Sequence, residues 1–203
     1  MKHYYTDEEN TLILISLLKA HGIKKVIASP GTTNISFVGS IQFDSYFEVY
    51  SAVDERAAAF MACGLAEESR EPVVLTCTGA TASRNYIPGL TEAYYRNLPI
   101  LAVTSTQHCG RVGNYVAQVI DRSEQFNDVV KKSFQLPTVH CEEDKQYTIT
   151  TVNDAILELQ HNVCGPVHIN LVTTYSSNFV TEELPRYRLI HRVPKCAFPE
   201  MPK

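Results

Sequence analysis

Asp54-Glu55-Arg56 opens a run of small residues, Ala57-Ala58-Ala59-Phe60-Met61-Ala62-Cys63-Gly64-Leu65-Ala66, directly after an apolar segment. Glu55 falls in the first turn of the helix this run predicts. An acid there either complements the helix dipole in water or is a buried carboxyl whose proton does chemistry. A helix of Ala, Gly and Cys also lets a neighbouring backbone come close. Two further segments, Ser29-Pro30-Gly31 and Thr78-Gly79-Ala80, each follow a short apolar run. Glycine admits a ligand close to the main chain, and it equally makes a strand-to-helix turn.

These three segments share an edge only if the apolar runs are parallel strands, and the patterning predicts that they are. Thr6-Asp7-Glu8-Glu9 has the form of a capping box ahead of a helix carrying Leu12, Ile15 and Leu18 and closed by Gly22. Lys25–Ala28 reads as a strand, Asn34–Ile41 as a helix, Tyr46–Val53 as a strand and Asp54–Glu68 as the small-residue helix. Pro72–Thr78 and Pro99–Thr104 have almost no polar face, as expected of strands covered on both sides. Ala82–Arg96 and Asn153–His161 read as helices and Pro166–Leu171 as a late strand. Strands alternating with helices predict an α/β three-layer sandwich, a mostly parallel sheet with helices on both faces. Ligands in such sheets sit beyond the carboxyl ends of the strands, where all three segments fall. Thr106–Lys131 is polar and irregular and is expected to wrap the rim of the site. Residues 1–180 form the expected domain. Residues 181–203, with Pro185, Pro194, Pro199 and Pro202, read as a Pro-rich linker or tail.

With 203 residues, 44% hydrophobic and 20% charged, the chain has the composition of a globular protein. A net charge of −4 gives no electrostatic footprint for nucleic acid. The apolar runs are too short for a membrane span, and the N-terminus lacks the apolar core of a signal peptide. The six cysteines form no Cys-x-x-Cys pair and no metal-ligand spacing, which predicts reduced thiols, a cytoplasmic setting and no metal held by this chain. Neither the Gly-x-Gly-x-x-Gly dinucleotide fingerprint nor the Gly-x-x-x-x-Gly-Lys phosphate loop occurs.

Ala28-Ser29-Pro30-Gly31-Thr32, Asp54-Glu55-Arg56, the stretch Pro72 to Asn85, Pro88-Gly89-Leu90-Thr91-Glu92-Ala93-Tyr94 and Leu98 to Thr104, in that order, resemble the N-terminal pyrimidine-binding (Pyr) domain of thiamine-diphosphate enzymes. The resemblance covers roughly residues 8 to 175 and is strongest to the carboligases, acetolactate synthase and the menaquinone-pathway synthase. It implies thiamine diphosphate as cofactor, a 2-oxo acid as substrate, and Glu55 as the acid that hydrogen-bonds N1′ of the aminopyrimidine. Such an acid is expected to be buried, desolvation raising its pKa. Asp54 is expected to be only a cap. The resemblance places Pro30, Gly31, Thr78 and Gly79 against the cofactor and adds Asn85 and Gln118. A helix-start hydrogen bond and a solvated loop are the rival roles of those two amides.

The sequence departs from the family in two places. Where the menaquinone synthase has Pro-Gly-Ser-Arg-Ser, Thr33 stands in place of the arginine, which puts that substrate in doubt; Arg84, Arg96, Arg111 and Arg122 are other candidates for an acid. The Gly-Asp-Gly…Asn motif that holds diphosphate through Mg2+ is also missing. The chain is therefore expected to carry half a site, as a fragment or a split subunit, with the diphosphate-binding domain elsewhere and a homo-oligomer as the assembly. An acetolactate-synthase-like enzyme with a flavin-binding middle domain, a non-catalytic assembly or regulatory subunit, and a flavodoxin-like module are the alternatives.

Overall fold

The computed structural model describes residues 4–192. The strands are β1 (Tyr5–Thr6), β2 (Lys25–Ala28), β3 (Glu48–Ser51), β4 (Val73–Cys77), β5 (Ile100–Thr106), β6 (Lys132–Leu136), β7 (Val167–Val172) and β8 (Phe179–Thr181). The helices are α1 (Glu9–Ala20), α2 (Ile35–Ile41), α3 (Glu55–Ser69), α4 (Thr81–Asn85), α5 (Ile87–Tyr95) and α6 (Glu142–Glu158). Six strands form one wholly parallel sheet in the order β3-β2-β4-β5-β7-β6, and β1 pairs antiparallel with β8 apart from it.

Alternation along the central strands builds the two cores. Val74, Leu101 and Val103 point to one face, where they pack with Leu14, Leu17 and Leu18 of α1, Phe37 of α2 and Val152 of α6. Val73, Leu75, Ile100 and Ala102 point to the other, against Ala59, Ala62 and Cys63 of α3 and Leu90 of α5. A strand buried on both sides favours apolar residues at successive positions, which is why β4 and β5 open on the runs Val73-Val74-Leu75 and Ile100-Leu101-Ala102-Val103. The small residues of α3 are used inside the domain. A Cβ on Gly89 of α5 would collide with Ala59, and Cys63 donates a hydrogen bond to the Gly89 carbonyl at 3.2 Å.

Several local readings are corrected. Thr6 lies in β1 and caps no helix; Glu8 takes the N-cap position, and its buried carboxylate accepts from Thr174 N at 2.6 Å and Thr174 Oγ1 at 2.7 Å. The single helix expected over Ala82–Arg96 is broken at Tyr86, because Pro88 has no N–H for the Arg84 carbonyl. The strand expected from Tyr46 is confined to Glu48–Ser51, and α6 begins eleven residues before Asn153, at Glu142. Residues 182–192 form no helix or strand but stay on the domain. Ser16 Oγ donates to the Pro185 carbonyl at 2.7 Å, and Asn153 donates to the Arg188 carbonyl at 3.0 Å. The remainder of the expected tail lies outside the described residues.

Candidate functional site

β2 leads into α2 on one face of the sheet, and its neighbour β4 leads into α4 on the other. Adjacent strands whose connections depart to opposite faces leave a crevice beyond their carboxyl ends, the usual place for a ligand in an open parallel sheet. The Ser29-Pro30-Gly31 and Thr78-Gly79-Ala80 loops flank that crevice.

The loops are held in contact. Ser29 N donates to the Thr76 carbonyl at 2.9 Å, extending the ladder by one residue. Buried Asn34 fixes the rest: its Oδ1 accepts from Gly31 N at 2.8 Å, and its Nδ2 donates to the Ser29 carbonyl at 3.1 Å. Gly31 is extended, so its requirement is spatial: a Cβ there would collide with the Thr78 methyl. At Gly79 a Cβ would lie 3.0 Å from the Gln118 carbonyl oxygen, so the segment carrying Gln118 rests on bare backbone. Ala80, with φ 45° and ψ −112°, takes a conformation that L side chains rarely adopt and turns the chain from β4 into α4. Pro30, Gly31, Thr78, Gly79 and Gln118 are thus brought together. Asn85 is exposed at the end of α4, and its amide donates to the Thr81 carbonyl of its own helix at 3.2 Å.

Glu55 opens α3 on the adjacent strand–helix unit. Asp54 is the N-cap, its Oδ1 accepting from Ala57 N at 2.7 Å. The Glu55 carboxylate therefore does not cap, and it has no hydrogen bond or ion pair within the described residues. It is half-buried rather than enclosed, unlike the buried acid expected from sequence. The buried side chains of Tyr86 and Cys77 lie within its electrostatic reach. Burial raises the Tyr86 phenol well above its ordinary range and pushes the Cys77 thiol up to about 12, with Glu55 adding to both shifts.

Two polar residues below this edge are buried: Arg122, one of the four arginines offered for a substrate acid, is turned inward instead, and His168 was not singled out from sequence. Arg122, 1% exposed, donates from Nη1 to the Thr78 carbonyl at 3.2 Å and from Nη2 to the Ser105 carbonyl at 2.8 Å. Burial lowers its pKa to about 10, so it remains a cation at neutral pH. His168 on β7 is buried, with Nε2 and Thr104 Oγ1 2.8 Å apart. Desolvation, then the charges of Arg122 and Arg84, hold its pKa near 3, so it is neutral. Of the other arginines, Arg96 pairs with Glu67 and Glu92, whereas Arg84 and Arg111 are exposed and donate to the Asp121 carbonyl and Gln107 Oε1. Among the described residues no three His, Cys, Asp or Glu side chains are grouped to hold a metal ion, and no helix is long and apolar enough to cross a membrane.

The fold and this edge define an α/β cofactor-binding domain with its crevice at the switch point. The solved structures similar to this chain include benzoylformate decarboxylase from Polynucleobacter necessarius (TM-score 0.70, 21% identity, 94% of this chain and 33% of that one). Another is a putative thiamin diphosphate-dependent enzyme from Mycobacterium smegmatis (TM-score 0.73, 20% identity, 93% and 34%). At these identities they speak to the fold alone. The family model described as thiamine pyrophosphate enzyme, N-terminal TPP binding domain, matches residues 11–125, more than half of the chain. The chain belongs to that family. It is similar to the 2-succinyl-5-enolpyruvyl-6-hydroxy-3-cyclohexene-1-carboxylate synthase of Bacteroides thetaiotaomicron, 38% identical over 189 residues, covering 93% of this chain and 34% of the relative. The synthase of that name from Desulfotalea psychrophila is 35% identical over 153 residues, covering 75% and 28%. The chain thus spans about a third of the length of these relatives.

Proposed function

We propose that this chain is the pyrimidine-binding half of a thiamine-diphosphate-dependent enzyme acting on a 2-oxo acid, by carboligation or decarboxylation. The observation that carries this reading is the contact of Gly31, Thr78, Gly79 and the Gln118 carbonyl at the switch point, with an uncapped Glu55 beside it. Bound thiamine diphosphate supplies an acidic carbon and an electron sink. The chain's own residues orient it. Gly31 and Gly79 let their loops close on Thr78 and on the Gln118 segment at the edge where the ring would lie, and Glu55 would hold a proton at N1′ of the aminopyrimidine. The fit is good on this side of the cofactor, and among the described residues no cluster suits diphosphate with Mg2+. Those belong to a separate diphosphate-binding domain or subunit.

Val53, just before α3, and Phe60 and Met61, on the outer side of that helix, are exposed and favour a covering partner, in keeping with a homo-oligomer. Thr33 has its hydroxyl buried and its carbonyl engaged by Thr173, so this position supplies no cation for a substrate carboxylate. Arg84 and Arg111, exposed and without carboxylate partners, are the better placed of the four arginines to meet an acid. Free thiols at Cys63, Cys77, Cys109, Cys141 and Cys164 support a cytoplasmic setting.

The test is hydrogen–deuterium exchange at cofactor C2 in the enzyme assembled with its diphosphate-binding domain. Glu55→Gln is nearly isosteric and should slow exchange by about 10²–10⁴-fold, the scale of a general acid–base contribution. Asp54→Asn, which keeps a capping oxygen, should cost far less. Wild-type exchange in Glu55→Gln, or a crippled Asp54→Asn, would reassign the acid.

A further inference from the structure

Arg122 is among the largest fully buried side chains of the described residues, and none of their carboxylates meets its guanidinium. Taking a cation out of water without a counter-charge is costly, and an apolar residue of similar volume is the cheaper filling. What the guanidinium does is bridge. Its two terminal nitrogens reach the carbonyls of Thr78 and Ser105, one just past the end of β4 and the other near the end of β5. Arg122 itself belongs to the irregular segment between β5 and β6, four residues after Gln118. One side chain therefore ties that segment to both strand ends.

The Gln118–Gly79 contact lies directly over this bridge. A Cβ on Gly79 would be 3.0 Å from the Gln118 carbonyl and 3.8 Å from Arg122 Nη2. Gln118 is held at φ 61°, a conformation that a free loop residue other than glycine seldom keeps. Val119, next to it, is buried, and the Arg122 carbonyl accepts from Gln135 Nε2 of β6 at 3.5 Å. Arg84 Nη2, itself exposed, adds a bond to the Asp121 carbonyl at 3.3 Å, while His108, Arg111, Asn114 and Tyr115 are all exposed.

We propose that Arg122 is a positioning residue, whose buried guanidinium fixes the Gln118 segment against Gly79 at the cofactor edge. This rests on the reading that Gly79 and Gln118 border the aminopyrimidine. The guanidinium fork is what the task needs, because two carbonyls on different strands must be bound at once in a fixed geometry. A lysine ammonium is a point charge without that fork.

Two measurements on the assembled enzyme test it. The first is amide hydrogen exchange across residues 107–121 without cofactor. Arg122→Met should raise exchange there by about tenfold or more, the scale of losing a charge-assisted hydrogen bond, while β4 and β5 stay protected. Arg122→Lys should fall between Met and wild type. The second is a double-mutant cycle on kcat with Gln118→Ala. If Arg122 acts through Gln118, the double variant Arg122→Met/Gln118→Ala is no slower than the slower single variant, whereas independent sites would multiply. Unchanged exchange over 107–121 would overturn the proposal, and so would multiplicative losses. Faster exchange with a fully active Gln118→Ala also overturns it, but then the failure lies in the reading of the site and not in the clamp.

Discussion

His168 offers a sharp physical test of the floor of this site. Its imidazole lies in the middle of the sheet, with Nε2 committed to Thr104 and Nδ1 sealed from water without a partner. Arg122 already places a positive charge nearby, so protonation is opposed first by burial and then by that charge. The folded pKa stands near 3 against 6.5 for a free histidine. In acid the unfolded chain therefore takes up a proton that the folded chain refuses. Stability from this group is fully present above about pH 6.5 and is lost as pH falls towards 3. Each pH unit in that window removes about 1.4 kcal/mol, so roughly 3 kcal/mol is gone by about pH 4. Carboxylates with depressed pKa values, such as Asp44 and Glu158, also weaken the fold in acid. The quantity to compare is therefore the difference between wild type and His168→Gln, whose amide can reach Thr104 without titrating. Urea denaturation from about pH 8 to about pH 4 should show the wild type losing roughly 3 kcal/mol more than the variant. Parallel pH profiles would mean that His168 is not held neutral and that the packing around Arg122 is misjudged.

Three further outcomes can be checked more simply. Gly31→Ala should destabilise the domain by about 1–3 kcal/mol, through overlap with the Thr78 methyl, and Thr78→Ser should restore part of the loss in urea denaturation. Asp54→Ala should cost about 1 kcal/mol of unfolding free energy through loss of the α3 cap, with Asp54→Asn close to wild type. Alkylation of the native chain followed by peptide mass spectrometry should find Cys109 and Cys141 modified. Cys63 and Cys77, buried with pKa values pushed up to about 11 and 12, should react only after unfolding.

Where burial is two-sided, the fold was legible from the chain. β4 and β5 have apolar residues at every core position and no alternative placement, so their boundaries were read within a residue or two. β6 escaped because it is an edge strand. Lys132, Ser133 and Gln135 alternate with Phe134 and Leu136, and such a short, half-polar run is weak against its surroundings. The first half of α6 was hidden for a different reason: Thr148-Ile149-Thr150-Thr151-Val152 are poor helix formers, held helical by packing Ile149 and Val152 into the core. Thr6 looked like a cap because its spacing to Glu9 is right, but pairing of β1 with β8 claims it first.

At the candidate site the glycines were legible and the arginine beneath them was not. Gly31 and Gly79 stand out in sequence because strand ends followed by glycine imply close approach, and the contacts with Thr78 and Gln118 are of that kind. Arg122 sits among Asp121, Ser123 and Glu124, where charge suggests an exposed face, and only the fold shows it turned inward. Glu55 is the instructive disagreement. An acid that shares a proton with a ring nitrogen works best away from water, yet this chain leaves it half-exposed. Val53, next to the Asp54 cap, and Phe60 and Met61, on the outer side of α3, are exposed as well, apolar surface of the kind that a partner covers. On the proposed reading, the dry environment of the acid is not a property of this domain at all. It is made when a second domain closes over α3, so the same docking that brings diphosphate-binding residues to the cofactor also removes water from the carboxyl that activates it.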